Sequence, residues 1–510
     1  MPDRRDFLKQ SALVSASLLA GHHPAGTHAT AISPALAAKV AADPHRPRYH
    51  FLPPANWMND PNGPIFWNGY YHLFYQYNPH GAYWGDMHWG HARSRDLVHW
   101  THLPMALAPT PGGPDKDGCF SGSAFSHDGT PTLIYTGVEP EVQCLASSDH
   151  AMIHWRKFPG NPVIATPPHG FHATGFRDPS IWREGADWLM SVGSGMKGHG
   201  GAALLYQSHD LIHWNYIHEL AAGPPFASAS GGSPHAKYDP VAAGDMWECP
   251  DFFPLGSSHA LLVSTQGAVY SMTGKYSGRK FQPDTKGKMD YGDFYYAAKS
   301  FDDPHGRRIL WGWIREGRSE AAQRAAGWAG MMSLPRVLSE GADHILRIEP
   351  AQELQVLREP LANLENLVVR GDVPLPQVWG DCLEIDAAIA PGNVEEFGLA
   401  VRQSPGSEEA TIIHLRPSTG QITLDTRRSS LNREIVGGAY VAPLKVQPAV
   451  PVHFSIFLDR SVIEIFADRK ICLTGRIYPA RRDSLSVSAF AKGGQATVKK
   501  LDAYSMMSCW

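Results

Sequence analysis

A degenerate repeat of seven or eight residues constrains the fold of this chain more than any other feature. Residues 94–100 read Ser-Arg-Asp-Leu-Val-His-Trp, and related segments end at Trp155 and Trp214, so the tryptophans at 100, 155 and 214 stand 55 and 59 residues apart. Repeats of this length, made of short β-rich runs and turns, are typical of propeller blades, which cannot bury their faces alone. A chance Asp-Leu-x-x-Trp pattern is the alternative, but three occurrences at even spacing argue against it. We therefore predict a five-bladed β-propeller over residues 45–345.

The composition favours an all-β protein with two domains. The chain has 510 residues, which is too many for one ordinary core, and it contains 49 glycines and 41 prolines with only 18% charged residues. High glycine, proline and aromatic content with few charges favours strands and turns over helices. The net charge of -4 and the lack of a basic stripe make nucleic acid an unexpected partner.

The sequence changes character after the propeller region. Residues 346–360 are predicted to form a helical or extended linker, and residues 361–510 contain alternating runs typical of a β-sandwich. Residues 452–468 are predicted to form two strands joined at Asp459. We expect Asp459 and Glu464 to lie at a surface turn and a strand edge, and not in a catalytic site. We interpret the sandwich as a support, and a carbohydrate-binding module is the alternative.

The N-terminus resembles an export signal. Arg4 and Arg5 form a twin-arginine element, an apolar run covers residues 12–20, and a small-residue processing site follows at residues 35–37. A membrane helix is the alternative, but the apolar run is too short to span a bilayer. We therefore expect a signal peptide over residues 1–37 and a mature protein without a membrane anchor, in the periplasm or outside the cell.

The cysteines and histidines predict no metal centre. None of the six cysteines has CxxC spacing and the histidines form no HExxH pattern. Cys119 and Cys144 are candidates for a disulfide in an oxidising compartment, but six cysteines allow 15 full pairings and the sequence selects none.

Three carboxylates stand in distinctive settings. Asp60 lies in a rigid Asn-Asp-Pro-Asn-Gly turn, Asp178 follows Arg177, and Glu248 stands between an aromatic residue and a thiol. Asp60 and Asp178 are 118 residues apart, and Asp178 and Glu248 are 70 apart, close to two blades and one blade. Equivalent strands of a propeller converge on its axis, so these side chains are expected to meet in one funnel.

Glycosidic bond cleavage needs such a set, with one carboxyl protonated and another ionised. We expect Glu248, desolvated by Trp247 and Cys249, to be the proton donor. Asp60, surrounded by Asn amides, is expected to remain ionised. Arg177 is expected to hold Asp178 in its anionic form.

Together these segments resemble the three motifs of glycoside hydrolase family 32, the β-fructofuranosidases, which include invertases, inulinases, levanases and related fructosyltransferases. The resemblance covers about residues 45–505. The segments that carry it are residues 57–63, 177–179 and 248–250, with further similarity at residues 75–79, 84–90, 120–123, 293–301 and 307–313.

The resemblance implies a five-bladed propeller with a β-sandwich and a retaining double displacement at C2 of a fructosyl unit. It implies Asp60 as nucleophile, Glu248 as acid/base and Asp178 as transition-state stabiliser, without a metal or organic cofactor. Cys249 is expected to be a free thiol that tunes Glu248. The substrate-binding residues that the resemblance implies are Asn59, Gln76, Trp84, Phe120, Ser121, Arg177 and Cys249.

Two departures bear on the substrate, which is expected to be sucrose or a fructan such as levan or inulin. Phe120 replaces a tryptophan that the family often has, and residues 264–267 read Ser-Thr-Gln-Gly where sucrose-preferring plant enzymes tend to carry acidic residues. Three alternatives to a fructan- or sucrose-hydrolysing β-fructosidase remain: a fructosyltransferase, a non-catalytic fructan-binding propeller, and a five-bladed arabinan- or xylan-cleaving enzyme. Endo or exo cleavage and the oligomeric state are not determined by the sequence.

Overall fold

A computed structural model describes residues 32–227 and 238–510. The first described element is helix α1 (Pro34–Ala42), which is capped by the Ser33 side chain and buries Val40. Most of the predicted signal peptide lies outside the described residues, and its expected processing site, residues 35–37, lies within α1. In the described ranges, no helix has the length and apolar character needed to cross a membrane.

In the described residues, 22 strands form five blades of four or five strands each, so the predicted five-bladed propeller is confirmed. Blade I contains β1 (Asn56–Trp67), β2 (Tyr70–Asn78), β3 (His88–Ser94) and β4 (Trp100–Leu107). Blade II contains β5 (Cys119–His127), β6 (Thr130–Gly137), β7 (Val142–Ser148) and β8 (Trp155–Lys157). Blade III contains β9 (Arg177–Glu184), β10 (Asp187–Met196), β11 (Gly200–Ser208) and β12 (Asn215–Gly223). Helix α2 (Pro240–Ala243) precedes blade IV, which contains β13 (Glu248–Leu255), β14 (Ser258–Thr265), β15 (Ala268–Ser277) and β16 (Lys280–Lys288).

Blade V is irregular and closes the ring. It contains β17 (Tyr295–Asp302), β18 (Arg308–Ile314), helix α3 (Glu320–Ala326), β20 (Met331–Met332), β21 (Arg336–Glu340) and β22 (Leu346–Pro350). Between α3 and β20, the short strand β19 (Trp328–Ala329) runs parallel to β1 and pairs with Asn56 and Trp57. This pairing joins the last blade to the first, which leaves the ring without an open gap.

The sequence repeat forms the turn between the third and fourth strands of blades I, II and III. In the first repeat, Asp96 Oδ1 accepts hydrogen bonds from the backbone N–H groups of Val98 (3.0 Å) and His99 (2.8 Å). Leu97 has φ +63°, and its carbonyl accepts the indole N–H of Trp100 at 3.1 Å. The first repeat is therefore an Asx turn. Its tryptophan packs edge-on against Trp311 of blade V, with ring centroids 5.6 Å apart.

The connection between the domains is shorter than the predicted linker. Residues 346–350 form β22, the outer strand of blade V, because they pair in register with β21. A 3₁₀ helix (Gln352–Leu357) then leads directly into the second domain.

The second domain is the predicted β-sandwich, built from one bent ten-stranded sheet. Its long strand β32 (Ser486–Met506) pairs with β25 (Glu396–Gln403) through residues 486–492 and with β24 (Cys382–Ala390) through residues 497–505. The sheet therefore folds into two layers around an aliphatic core. The strands are β23 (Arg358–Trp379), β24 (Cys382–Ala390), β25 (Glu396–Gln403), β26 (Thr411–Arg416), β27 (Gln421–Asp425), β28 (Ala439–Pro443), β29 (Val452–Asp459), β30 (Val462–Ala467), β31 (Ile471–Arg476) and β32 (Ser486–Met506).

Two sandwich carboxylates lie in a buried polar network between the domains. His50 Nδ1 is 2.9 Å from Asp459 Oδ2, and His50 Nε2 is 3.1 Å from Glu464 Oε1. Arg336 Nη2 donates to Glu464 Oε2 at 2.6 Å, and all four side chains are fully buried. The expected surface-turn and strand-edge positions of Asp459 and Glu464 are therefore wrong, since this edge of the sandwich packs against the propeller. The expected pair of strands joined at Asp459 is confirmed.

Candidate active site

Each inner strand of the propeller carries a register irregularity at the same end of the ring. The irregularities fall at residues 58–61, 120–122, 177–180, 248–251 and 296–299. A bulge bends the strand and redirects a side chain, and bulges are common beside active sites. Asp178, Cys249 and Ala297 adopt φ values of +66°, +49° and +53° within these irregularities. Five bulges around one axis therefore turn residues from all five blades towards one funnel.

Asp60 is held by hydrogen bonds to both carboxylate oxygens. Ser121 Oγ of blade II donates to Oδ2 at 2.6 Å, and Asn59 Nδ2 donates to Oδ1 at 3.0 Å. The indole N–H of Trp57 donates to Asn59 Oδ1 at 2.8 Å and so orients that amide. Gly63 has φ +42° and leaves no room for a Cβ, which would lie 2.4 Å from the backbone nitrogen of Ala124. The motif thus permits the close contact between blades I and II that brings Ser121 to Asp60.

Cys249 joins two of the carboxylates. Its Sγ lies 3.4 Å from Asp60 Oδ2 and 3.5 Å from Asp178 Oδ2, and its backbone N–H donates to the same Asp178 oxygen at 2.9 Å. The thiol that was expected to pack against Glu248 therefore contacts the other two carboxylates, and its expected tuning of Glu248 stays a prediction. Cys249 is a free thiol, as expected, and the other five cysteines are also free.

Glu248 is held from both sides by side chains of other blades. Arg177 Nη2 and Nε donate to Oε1 at 2.7 and 3.1 Å, and the hydroxyl of Tyr296 donates to Oε2 at 2.7 Å. Arg177 also donates through Nη1 to Glu141 Oε1 at 2.8 Å. Arg177 was expected to hold Asp178, but its guanidinium bonds Glu248 and Glu141 instead. Arg177 therefore joins Glu248 of blade IV to Glu141, which follows strand β6 of blade II.

Trp247 was expected to cover the Glu248 carboxyl, but its indole lies elsewhere. Its indole is 1% exposed and packs between blades III and IV, where a Cβ on Gly201 would lie 1.9 Å from Trp247 Cδ1. The absence of a side chain at residue 201 therefore provides the space for this indole.

Burial dominates the electrostatics of the two aspartates. It raises the pKa of Asp60 above its ordinary value, although Ser121 and Asn59 donate hydrogen bonds that oppose the shift. Burial also raises the pKa of Asp178 to about 7, opposed by Arg177 and reinforced by the charges of Glu248 and Asp60. Asp60 was expected to stay ionised through its neighbouring amides and Asp178 through Arg177, but desolvation outweighs these groups and raises the pKa of both aspartates.

Other predicted binding residues lie around the carboxylates. Gln76 is 1% exposed, and its Nε2 donates to the Cys119 carbonyl at 3.0 Å while its buried Oε1 has no hydrogen-bond partner. Trp84 is 60% exposed and contacts Phe120 edge-on, with ring centroids 6.1 Å apart. The site thus combines polar groups at its floor with aromatic rings at its mouth, an arrangement suited to a sugar.

Sequence reasoning missed Tyr296 and Glu141 as members of this site. Tyr296 lies on the inner strand of blade V at the position of the fifth bulge, so blade spacing supplied a signal for it. Glu141 follows strand β6 in a turn, and nothing in its local sequence distinguishes it. Among residues 32–227 and 238–510, no group of three or more His, Cys, Asp or Glu side chains is arranged to hold a metal ion.

Comparisons with known proteins agree with this architecture. The family profile described as "Glycosyl hydrolases family 32 N-terminal domain" matches residues 50–350, and the profile described as "Glycosyl hydrolases family 32 C terminal" matches residues 353–505. Sucrose-6-phosphate hydrolase of Zymomonas mobilis is 37% identical over 495 residues, which cover 90% of this chain and 92% of that protein. Fructan 1-exohydrolase of Hordeum vulgare is 33% identical over 548 residues, covering 91% and 88%.

Solved structures give the same result. The crystal structure of fructan 1-exohydrolase IIa from Cichorium intybus has a TM-score of 0.83 to this chain at 31% identity, and the match covers 91% of this chain and 98% of that one. The chain therefore belongs to glycosyl hydrolase family 32, and it is a glycoside hydrolase.

Proposed function

We propose that this protein is an exported, retaining β-fructofuranosidase that hydrolyses terminal fructosyl residues of sucrose or fructans. The observation that carries the proposal is the contact of one thiol, Cys249, with both Asp60 and Asp178, next to a Glu248 that is bonded by Arg177 and Tyr296. Two carboxylates at one funnel meet the requirement for a nucleophile and an acid/base in glycoside hydrolysis.

In the first step, protonated Glu248 donates its proton to the glycosidic oxygen while Asp60 attacks C2 of the fructosyl unit. The bond from C2 to the leaving oxygen breaks, and a covalent fructosyl ester on Asp60 forms. Positive charge develops at C2, and the carboxylate of Asp178 stabilises that charge and binds fructosyl hydroxyls. In the second step, Glu248 takes a proton from water, which attacks C2 and releases fructose and the Asp60 carboxylate.

The remaining site residues bind the fructosyl unit. Gln76 has a buried carbonyl oxygen without a partner, and a buried unpaired acceptor is unfavourable until it receives a hydrogen bond. A fructosyl hydroxyl supplies that donor in our proposal. Trp84 and Phe120 provide apolar faces for the ring at the mouth of the funnel.

The substrate class follows from what the relatives are named for. One is named for sucrose 6-phosphate and another for fructans, and a solved β-fructofuranosidase of Bombyx mori is described in complex with sucrose. β-Fructofuranosides are common to these names, so we propose that class. A non-catalytic binding protein is disfavoured because all three carboxylates are present.

The test is product analysis with sucrose, inulin and levan as separate substrates. NMR during the first minutes is expected to show β-fructofuranose, which requires retention, and α-fructofuranose would refute the double displacement. Asp60→Asn and Glu248→Gln should each lower kcat by at least about 10³-fold, whereas Asp128→Asn, in an exposed turn, should leave kcat unchanged. Fructo-oligosaccharides growing from sucrose would identify a transferase.

Export is tested separately through the N-terminus. Replacing Arg4 and Arg5 by lysine in the full chain should retain activity in the cytoplasm of a bacterial host, whereas the wild-type chain should place it outside the inner membrane. Equal distribution of activity for the two chains would refute twin-arginine export.

A further inference from the structure

Arg315 is a guanidinium placed against the side chain that orients the proposed proton donor. It follows strand β18, and its backbone N–H donates to the Phe294 carbonyl at 2.9 Å. Its guanidinium carbon lies over the Tyr296 ring, 5.5 Å from the centroid. The Tyr296 hydroxyl in turn donates to Glu248 Oε2 at 2.7 Å. Arg315 therefore lies one side chain away from Glu248.

Backbone carbonyls from two blades fix the orientation of this guanidinium. Arg315 Nη2 donates to the carbonyl of Gly267 at 2.8 Å and also to the carbonyl of Asp293. Gly267 lies in the turn between β14 and β15 of blade IV, and Asp293 precedes the inner strand of blade V. Arg315 thus connects the two blades that supply Glu248 and Tyr296.

The positive charge of Arg315 is not neutralised by a close carboxylate. Within the described parts of the chain, no Asp or Glu oxygen lies within 4.0 Å of its side-chain nitrogens, whereas Arg177 in the same site has two such partners. Burial lowers the pKa of Arg315, because desolvation disfavours the charged guanidinium. A cation over an aromatic ring is attracted to its face, and it makes the phenolic O–H a stronger donor.

On the basis of the proposed function, we propose that Arg315 is a positioning residue for leaving-group protonation. It holds the Tyr296 ring between blades IV and V and strengthens the hydrogen bond from Tyr296 to Glu248. Arg315 acts through Tyr296, so its effect is confined to the step in which Glu248 donates a proton to the leaving oxygen.

The experiment compares the kcat/KM of Arg315 variants on two substrates that have different leaving groups. Sucrose requires protonation of its leaving oxygen, whereas β-fructofuranosyl fluoride has a leaving group that departs without a full proton transfer. Arg315→Met should lower kcat/KM for sucrose about tenfold, a part of the 10²- to 10⁴-fold effect of general acid catalysis. The same variant should keep kcat/KM for the fluoride within about twofold of the wild type, and Arg315→Lys should recover part of the rate on sucrose.

A double-mutant cycle tests whether the effect passes through Tyr296. Tyr296→Phe should show the same substrate dependence, and adding Arg315→Met to it should lower kcat/KM for sucrose no further. Arg402→Met is the matched control, because Arg402 is a buried sandwich arginine that also donates to two backbone carbonyls. This control should leave both rates unchanged.

Three results would overturn the assignment. An equal loss of kcat/KM on both substrates would show that Arg315 only supports the structure of the site. Fully multiplicative losses in the double mutant would show that it acts independently of Tyr296. Unchanged rates for Arg315→Met would remove it from the reaction. If the wild-type protein releases no fructose from either substrate, the proposed function fails first, and that outcome is distinct from these three.

Discussion

Replacement of Asp178 by asparagine is expected to stabilise the protein while it abolishes activity. The Asp178 side chain is 3% exposed, and burial together with the charges of Glu248 and Asp60 raises its pKa to about 7. A carboxyl group whose pKa is higher in the folded state prefers to be protonated there. Its contribution to stability is therefore present at low pH and is lost as the pH rises from about 4 to about 7.

The size of the effect follows from the pKa shift. From the ordinary value of 3.8 to about 7, each unit corresponds to about 1.4 kcal/mol, which gives a ceiling of about 4 kcal/mol at pH 8. Relaxation of the neighbouring carboxyls reduces this, so we expect Asp178→Asn to gain about 1–3 kcal/mol at pH 8 and almost nothing at pH 4. Asparagine adopts the left-handed φ of +66° at this position readily, and its amide oxygen can still accept the Cys249 N–H.

The assay is urea unfolding followed by tryptophan fluorescence at pH 4, 6 and 8 for the wild type and the variant. The difference in unfolding free energy should grow with pH. A gain that is independent of pH, or a loss of stability at pH 8, would refute the electrostatic argument. Asp459→Asn is the control, for which the opposite change in stability is expected. Burial alone would raise the pKa of Asp459, but His50 and three backbone N–H groups lower it on balance. This variant should therefore lose stability at pH 8.

Three further predictions concern other parts of the molecule. His50→Ala should destabilise the fold by about 3–5 kcal/mol, since it leaves two buried carboxylates short of a partner. Burial lowers the pKa of His50, but Asp459 and Glu464 raise it on balance. The contribution of His50 to folding stability is therefore complete below pH 6.5 and is lost as the pH rises through its folded-state pKa. A loss of unfolding free energy in His50→Ala that is constant from pH 6 to pH 9 would contradict this. Trp84→Ala should raise KM more than it lowers kcat in steady-state kinetics with sucrose, because the exposed ring is expected to bind the sugar; an unchanged KM would exclude that role. Thiol titration of the unfolded, unreduced protein should detect six thiols, and four or fewer would show a disulfide that the structure lacks.

The fold was largely predictable because its signals are local. The Asx turn of residues 94–100 depends on hydrogen bonds between near neighbours, and the same turn recurs at residues 208–214. In the segment that ends at Trp155, Asp149 Oδ1 instead accepts the backbone N–H of Ile153, four residues on. The predicted linker was too long because β22 is defined by pairing with β21, and its sequence alone does not show which partner it has.

The three motifs predicted Asp60, Asp178 and Glu248 as candidates because each combines a carboxylate with distinctive turn residues. Their partners were not predictable in the same way. Arg177 was assigned to its sequence neighbour Asp178, but it bonds Glu248, which is 71 residues away. A bulge reverses the direction of a side chain, and the sequence of one strand does not reveal the register of the next.

The sequence by itself determined the blade repeat, the two-domain organisation and the identities of the candidate carboxylates, since turn chemistry and strand alternation act over a few residues. Only the tertiary structure decided which groups surround those carboxylates and how strongly each is desolvated. It also decided that Asp459 is buried against His50, 409 residues earlier in the chain. Burial and long-range charge depend on how distant segments pack, and no local pattern encodes them.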